Sequence, residues 1–164
     1  MPCFGKLLIG SMATLWLATS PALAFRPSGW REYIVPETGA SVEVPSQIFS
    51  DDAGNPDHSY GHRFRTKDRR ANLSVQSLRN AEADSPSEFL KKHFELPQSA
   101  AVYSRVGSDF FVVSGFHRSN IWYDRCNFVG SYVHCVALNY PASEKRAWDD
   151  VVTRISTTLT RKIR

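Results

Sequence analysis

The chain has 164 residues, 42% of them apolar and 22% charged, with a formal net charge of +4. This balance describes one globular domain with a core of ordinary size and excludes a disordered chain. The cationic excess is too small and too dispersed for a nucleic-acid-binding protein.

The first predicted element is a leader. Lys6 supplies a positive start, Leu7 to Thr19 form an apolar run, and Pro21-Ala22-Leu23-Ala24 ends in the small-x-small pattern of a signal peptidase site. A run of thirteen residues falls short of the roughly twenty a spanning helix needs. We therefore expect a signal peptide over 1–24, cut between Ala24 and Phe25, and one globular domain over 25–164. No cysteine stands at the cut, so no lipid anchor is expected, and the mature chain should hold no transmembrane segment. The expected location is periplasmic or secreted. The leader carries one basic and no acidic residue, which leaves the domain a formal excess of +3.

Arg31 to Val35 and Ala40 to Val44 read as two short strands around the turn-rich Pro36-Glu37-Thr38-Gly39, and Pro45 stops the second. Ser50 to Gly61 reads as an exposed loop. His62 to Thr66 and Ala71 to Arg79 alternate as a hairpin around Lys67-Asp68-Arg69-Arg70. Ser85-Pro86-Ser87-Glu88 is a capping box with proline at the first helical position, and its helix presents Phe89, Leu90 and Phe94 to a core before Pro97 limits it. Four strands follow: Ala101 to Val106, Asp109 to Phe116, Ile121 to Phe128 and Tyr132 to Tyr140. Phe110 to Val113 is apolar on both faces, which predicts a central strand. Ser143 can cap a last helix carrying Trp148, Val151, Val152, Ile155 and Leu159 at helical spacing, with Arg161, Lys162 and Arg164 suited to its C-terminal dipole. The sum is an α+β fold: a mostly antiparallel sheet of six to eight strands with helices packed on its faces.

Cys3 leaves with the leader, so Cys126 and Cys135 remain. Gly130-Ser131 lies midway between them and suits a two-residue hairpin turn. The register that follows sets Cys126 opposite Cys135 at a non-hydrogen-bonded pair, with Cα atoms about 4.5 Å apart, close enough for a disulfide. A redox-active thiol would need a CxxC spacing or a helix N-terminus, and neither is present.

No catalytic motif stands out. Asp51, Asp52, Asp57, His58 and His62 are of metal-ligand type, but their order fits no known ligand spacing. A solvated turn is the plainer reading; a small metal-dependent hydrolase using Asp57, His58 and His62 is the alternative. Arg63, Arg65, Lys67, Arg69 and Arg70 place five cations in eight residues with only Asp68 opposing. Residues 63, 65 and 67 would share one strand face and could hold a phosphate or carboxylate. Alternatively they form a charged edge that discourages aggregation. Ser114 and His134 fall in strand rows roughly 13 Å apart, too far for a nucleophile and its base. Trp122, Tyr123, Phe128, Tyr132 and Tyr140 read as packing residues rather than a ligand platform. Asn72-Leu73-Ser74 is a glycosylation sequon that matters only in a eukaryotic secretory route.

Gly39-Ala40-Ser41-Val42-Glu43-Val44-Pro45 with Phe49, together with Phe111-Val112-Val113-Ser114-Gly115, Tyr123-Asp124-Arg125 and Tyr140-Pro141-Ala142, resembles exported bacterial domains of the PsbP/Mog1/DcrB-like superfamily. The resemblance implies an α/β/α sandwich around an antiparallel sheet and an accessory or binding role, without a shared catalytic residue or cofactor. The expected protein is thus non-enzymatic, binding an envelope component or a protein partner.

Overall fold

The computed structural model describes residues 29–94 and 101–161. The expected leader and cleavage site, Pro97, Lys162 and Arg164 lie outside the described residues.

β1 (Trp30–Ile34) and β2 (Ala40–Pro45) pair antiparallel through the predicted turn, where Gly39 takes a φ of +71°. The segment read as a loop contributes β3 (Asp51–Asp52), which pairs with β4 (Tyr60–Arg65). β5 (Asn72–Arg79) follows, then α1 (Pro86–His93). The capping box forms as expected: the Glu88 backbone N–H donates to Ser85 Oγ at 3.3 Å, and the Ser85 N–H donates to Glu88 Oε2 at 2.9 Å. β6 (Ala101–Val106), β7 (Phe110–His117), β8 (Asn120–Val129) and β9 (Tyr132–Pro141) run as a meander.

The last helix departs from expectation. Ser143 lies inside a 3-10 turn, Ala142–Glu144, and α2 (Lys145–Thr158) starts after Glu144 without a side-chain cap. The helix then gives way to β10 (Thr160–Arg161), so Arg161 pairs opposite Ala40 on β2 instead of facing a helix end.

The strands form a seven-stranded sheet, β3-β4-β5-β9-β8-β7-β6, and a three-stranded one, β1-β2-β10. The large sheet is antiparallel throughout. Its middle strand is β9, where Val133 to Val136 are all buried. β7, read as central, stands next to the edge. Phe111 and Val113 pack beneath α1, while the Arg105 and Arg125 guanidiniums lie 5.5 and 5.3 Å from the Phe110 ring. Apolar character on both faces here reflects a cation–π cover on one of them.

Strand alternation divides the core in two. On one face Phe89 and Leu90 of α1 cover Phe111, Val113, Cys126, Val133 and Cys135. On the other, α2 and the small sheet bring Trp148, Val152, Ile155, Val42 and Val44 onto Leu73, Val75, Val136 and Leu138. Helices on opposite faces of an antiparallel sheet make the α+β sandwich anticipated from the element order. Gly130, at a φ of +60°, turns β8 into β9, and Cys126 and Cys135 pair at a Cα separation of 4.1 Å and are joined by a disulfide. Both cysteines are fully buried in the α1-side core.

Candidate functional site

The β4–β5 hairpin builds the most distinctive surface. Its register sets Arg63 opposite Ser74 and Arg65 opposite Asn72, so all four side chains share one sheet face. β4 ends at Arg65, which moves Lys67 off that face and into the turn.

The turn is held by Asp68. Its Oδ1 accepts from Thr66 Oγ1 at 2.6 Å and from the Arg70 backbone N–H at 3.1 Å, and its Oδ2 accepts from Arg70 Nε at 2.7 Å. These hydrogen bonds hold the Asp68 carboxyl well below the usual carboxylate range. Arg70 reaches on to Glu144 Oε1 at 2.7 Å and is thereby neutralised twice. Arg69 takes a φ of +62° between them. The turn therefore separates two adjacent arginines, one used as a staple and one left over.

Arg63, Arg65 and Arg69, with Asn72 and Ser74, line a cavity of about 520 Å3. Of the five cations singled out in the sequence, three converge there, while Lys67 and Arg70 do not. Arg63 lies 3.7 Å from an exposed Asp57 carboxylate, a loose contact. Among the described residues, neither Arg65 nor Arg69 has an ion pair. The Nε atoms of Arg63 and Arg65 are buried and lack a hydrogen-bond partner among the described residues. Asp51 stands opposite Arg65 across β3–β4 but accepts its hydrogen bond from Ser50. In the sequence Asn72 and Ser74 stand out only as ends of a sequon; their place beside Arg65 and Arg63 follows from the cross-strand register of the hairpin.

The proposed metal ligands do not assemble. His62 Nε2 lies 3.1 Å from Asp52 Oδ1, its Nδ1 lies 3.3 Å from Asn55 Oδ1, and its ring packs 4.8 Å from that of Phe64. Asp57 turns to Arg63 instead, and His58 sits in a turn at a φ of +56°. Among the described residues, no three His, Cys, Asp or Glu side chains gather as a metal site. The loop spreads its ligands because β3 pulls Asp51 and Asp52 into the sheet.

The Ser114–His134 dyad fails as the register argument required. Ser114 faces Tyr123 and His134 faces Asn127. His134 instead joins a buried chain, its Nδ1 2.9 Å from Ser77 Oγ, which lies 2.9 Å from Thr38 Oγ1. Ser77 and His134 are fully buried, so this Ser–His contact meets no substrate. The aromatic residues are distributed as packing. Phe128 meets Phe89 at 5.5 Å on one face, and Tyr140 stacks on Trp148 at 5.2 Å on the other. Tyr123 forms a 2.6 Å hydrogen bond with Ser156, and burial raises its pKa. A second cleft, of about 480 Å3, opens between α2 and β6–β8 beside the exposed rings of Tyr103 and Phe116.

On β8, Asp124 shares the arginines' sheet face, three strands away along the Arg63–Ser74–Ala137–Asp124 row. Burial pushes its carboxyl up to about 7. Among the described residues, no helix is long and apolar enough to cross a membrane.

No family model and no curated protein matches the chain. Among solved structures it is similar to the solution structure of cyanobacterial PsbP (CyanoP) from Synechocystis sp. PCC 6803. The superposition has a TM-score of 0.60 at 11% identity and covers 88% of this chain and 99% of that one. At that identity the likeness is one of architecture, and the chain has a PsbP-like fold.

Proposed function

We propose that this chain is an exported, non-enzymatic accessory protein, periplasmic or secreted, that binds an anionic group on an envelope component or protein partner. The observation that carries the reading is the arginine-lined cavity, where Arg65 and Arg69 have no ion pair among the described residues and Arg63 has only the 3.7 Å contact to Asp57. Such a site attracts and holds an anion without chemistry of its own. The leader-like segment over 1–24 and the buried Cys126–Cys135 disulfide support an oxidising compartment outside the cytoplasm. The resemblance to PsbP/Mog1/DcrB-like domains implies the accessory role.

Fractionation of a bacterial host expressing the full chain tests the address. The expected species lies outside the cytoplasm, begins at Phe25 and weighs two hydrogens less than its reduced form. A full-length, dithiol protein in the cytosol would refute it. Envelope pull-downs with the wild type and with an Arg63→Glu/Arg65→Glu/Arg69→Glu variant test the site, and equal recovery by both would remove the pocket from the reading.

A further inference from the structure

The arginines of the pocket differ from the closely paired Lys and Arg side chains among the described residues. Arg70, Lys92, Lys145 and Arg154 each have a carboxylate oxygen at 2.6 to 2.8 Å. Arg65 and Arg69 have none among the described residues, and Arg63 has only the 3.7 Å contact to Asp57. The guanidinium edge formed by Nε and one terminal nitrogen is the fork that grips two oxygens at once. In Arg63 and Arg65 the Nε half of that fork is buried without a partner among the described residues. Both side chains stand at alternate positions of one strand, so the two guanidiniums line the same cavity.

Around them the hairpin supplies neutral polar groups. Ser74 and Asn72, opposite the two arginines, line the cavity with a hydroxyl and an amide. Arg69 enters from a turn stapled by Asp68, whose charge is taken up by Arg70. This third guanidinium is therefore positioned on a braced backbone, which limits the conformational freedom lost on binding.

We infer that this pocket binds a phosphate monoester, whose terminal oxygens are shared by the guanidiniums of Arg63, Arg65 and Arg69. The inference rests on the anion-binding reading above and names its ligand class. A carboxylate brings one negative charge and two oxygens, enough for a single fork. A monoester carries nearly two charges at neutral pH and three terminal oxygens, which matches three guanidiniums with two neutral polar neighbours. The cavity, at about 520 Å3, falls in the size range of small-molecule sites and has room for the organic group as well. That organic group belongs either to a free solute or to a lipid headgroup.

Isothermal titration of the disulfide-bonded protein tests the class, with glycerol 3-phosphate, inorganic phosphate and succinate as probes. Glycerol 3-phosphate should bind at low ionic strength and weaken as salt is added, as a charge-assisted contact requires. Arg65→Ala should weaken it by about tenfold or more, and Arg65→Lys, which keeps the charge but loses the fork, should recover only part. Lys145→Ala, on α2, should leave it unchanged. Thermal melts of each variant separate lost binding from lost folding. Flotation with vesicles of phosphatidylcholine, with and without phosphatidic acid, distinguishes the sources: capture by phosphatidic acid assigns a lipid headgroup, and its absence beside glycerol phosphate binding assigns a free solute. Succinate binding as tightly as the phosphates would overturn the monoester class while leaving an anion site in place. Failure of every anion would overturn the inference, and the pull-down above then decides separately whether the broader reading also falls.

Discussion

Reducing the Cys126–Cys135 bridge frees a loop whose ends are nine positions apart. In the chain-entropy model, closing a loop of that length restricts the unfolded chain by roughly 2.7 kcal/mol. The native hairpin needs little help: Asn127 and His134 pair beside the bridge, and Gly130 already sets the turn. The stabilisation therefore acts through the unfolded ensemble, and reduction should leave the native sheet unchanged. Replacing both cysteines by alanine also removes two buried sulfurs from the cluster around Phe89, Phe111 and Val133, which costs about 1 kcal/mol more. For a domain of this size, 1 kcal/mol shifts Tm by about 3–5 °C, so reduction should lower Tm by about 10 °C and the double alanine variant by somewhat more. Because the bridge is buried, the sample is reduced while unfolded, refolded under reductant, checked for two free thiols and melted by far-UV circular dichroism. Melting curves within a degree of each other would refute the loop-closure argument. A reduced chain without a cooperative transition would show that the bridge does more than restrict the unfolded state.

The remaining predictions address one charge and one backbone position. The Asp124 carboxyl titrates near 7 in the fold and near 3.8 when unfolded, so between those values the folded state holds a proton the unfolded chain has released. Stability should fall as pH rises through that window. Asp124→Asn should flatten the dependence and gain about 2 kcal/mol at pH 8, after discounting for the side chain's partial exposure. Urea denaturation at both ends of the window checks it, and parallel pH profiles for the two proteins would contradict it. Gly61 sits at a φ of +134° on β4, where an added Cβ would collide with the Val75 carbonyl oxygen of β5. Gly61→Ala should destabilise by about 3 kcal/mol or more, seen as a lower urea midpoint; an unchanged midpoint would show that β4 can shift away without loss.

The sequence was most legible where neighbours in the chain are neighbours in space. Gly130-Ser131 and Arg118-Ser119 are two-residue turns, and such turns set the parity of every pair that follows; hence Cys126 stands opposite Cys135 as expected, and Ser114 stands opposite Tyr123. The capping box at Ser85 is likewise local. Elements defined by distant partners were not readable. β3 and β10 span two residues each, too short for periodicity, and exist because β4 and β2 offer them an edge. The run Phe110 to Val113, apolar on both faces, predicts a central strand, and local sequence does not show the two arginines that lie over the Phe110 ring of β7. In the pocket, alternation identified Arg63 and Arg65. The end of β4 and the left-handed Arg69 then decided which of the other cations turned inward.

The pairing of β5 with β9 joins Ser77 to His134 across 57 positions of chain. It stitches a hairpin-built half, β6 to β9, onto another made of β3 to β5. Valines and leucines alone would police that seam poorly, since a slip by two residues returns every side chain to the same face. The buried relay from Thr38 through Ser77 to His134 does not survive such a slip, because Ser77 and His134 would no longer stand opposite each other. Alignment of the two halves is thus proofread by polarity rather than by grease, and Thr38, arriving from the small sheet's own turn, makes the three layers agree on one answer.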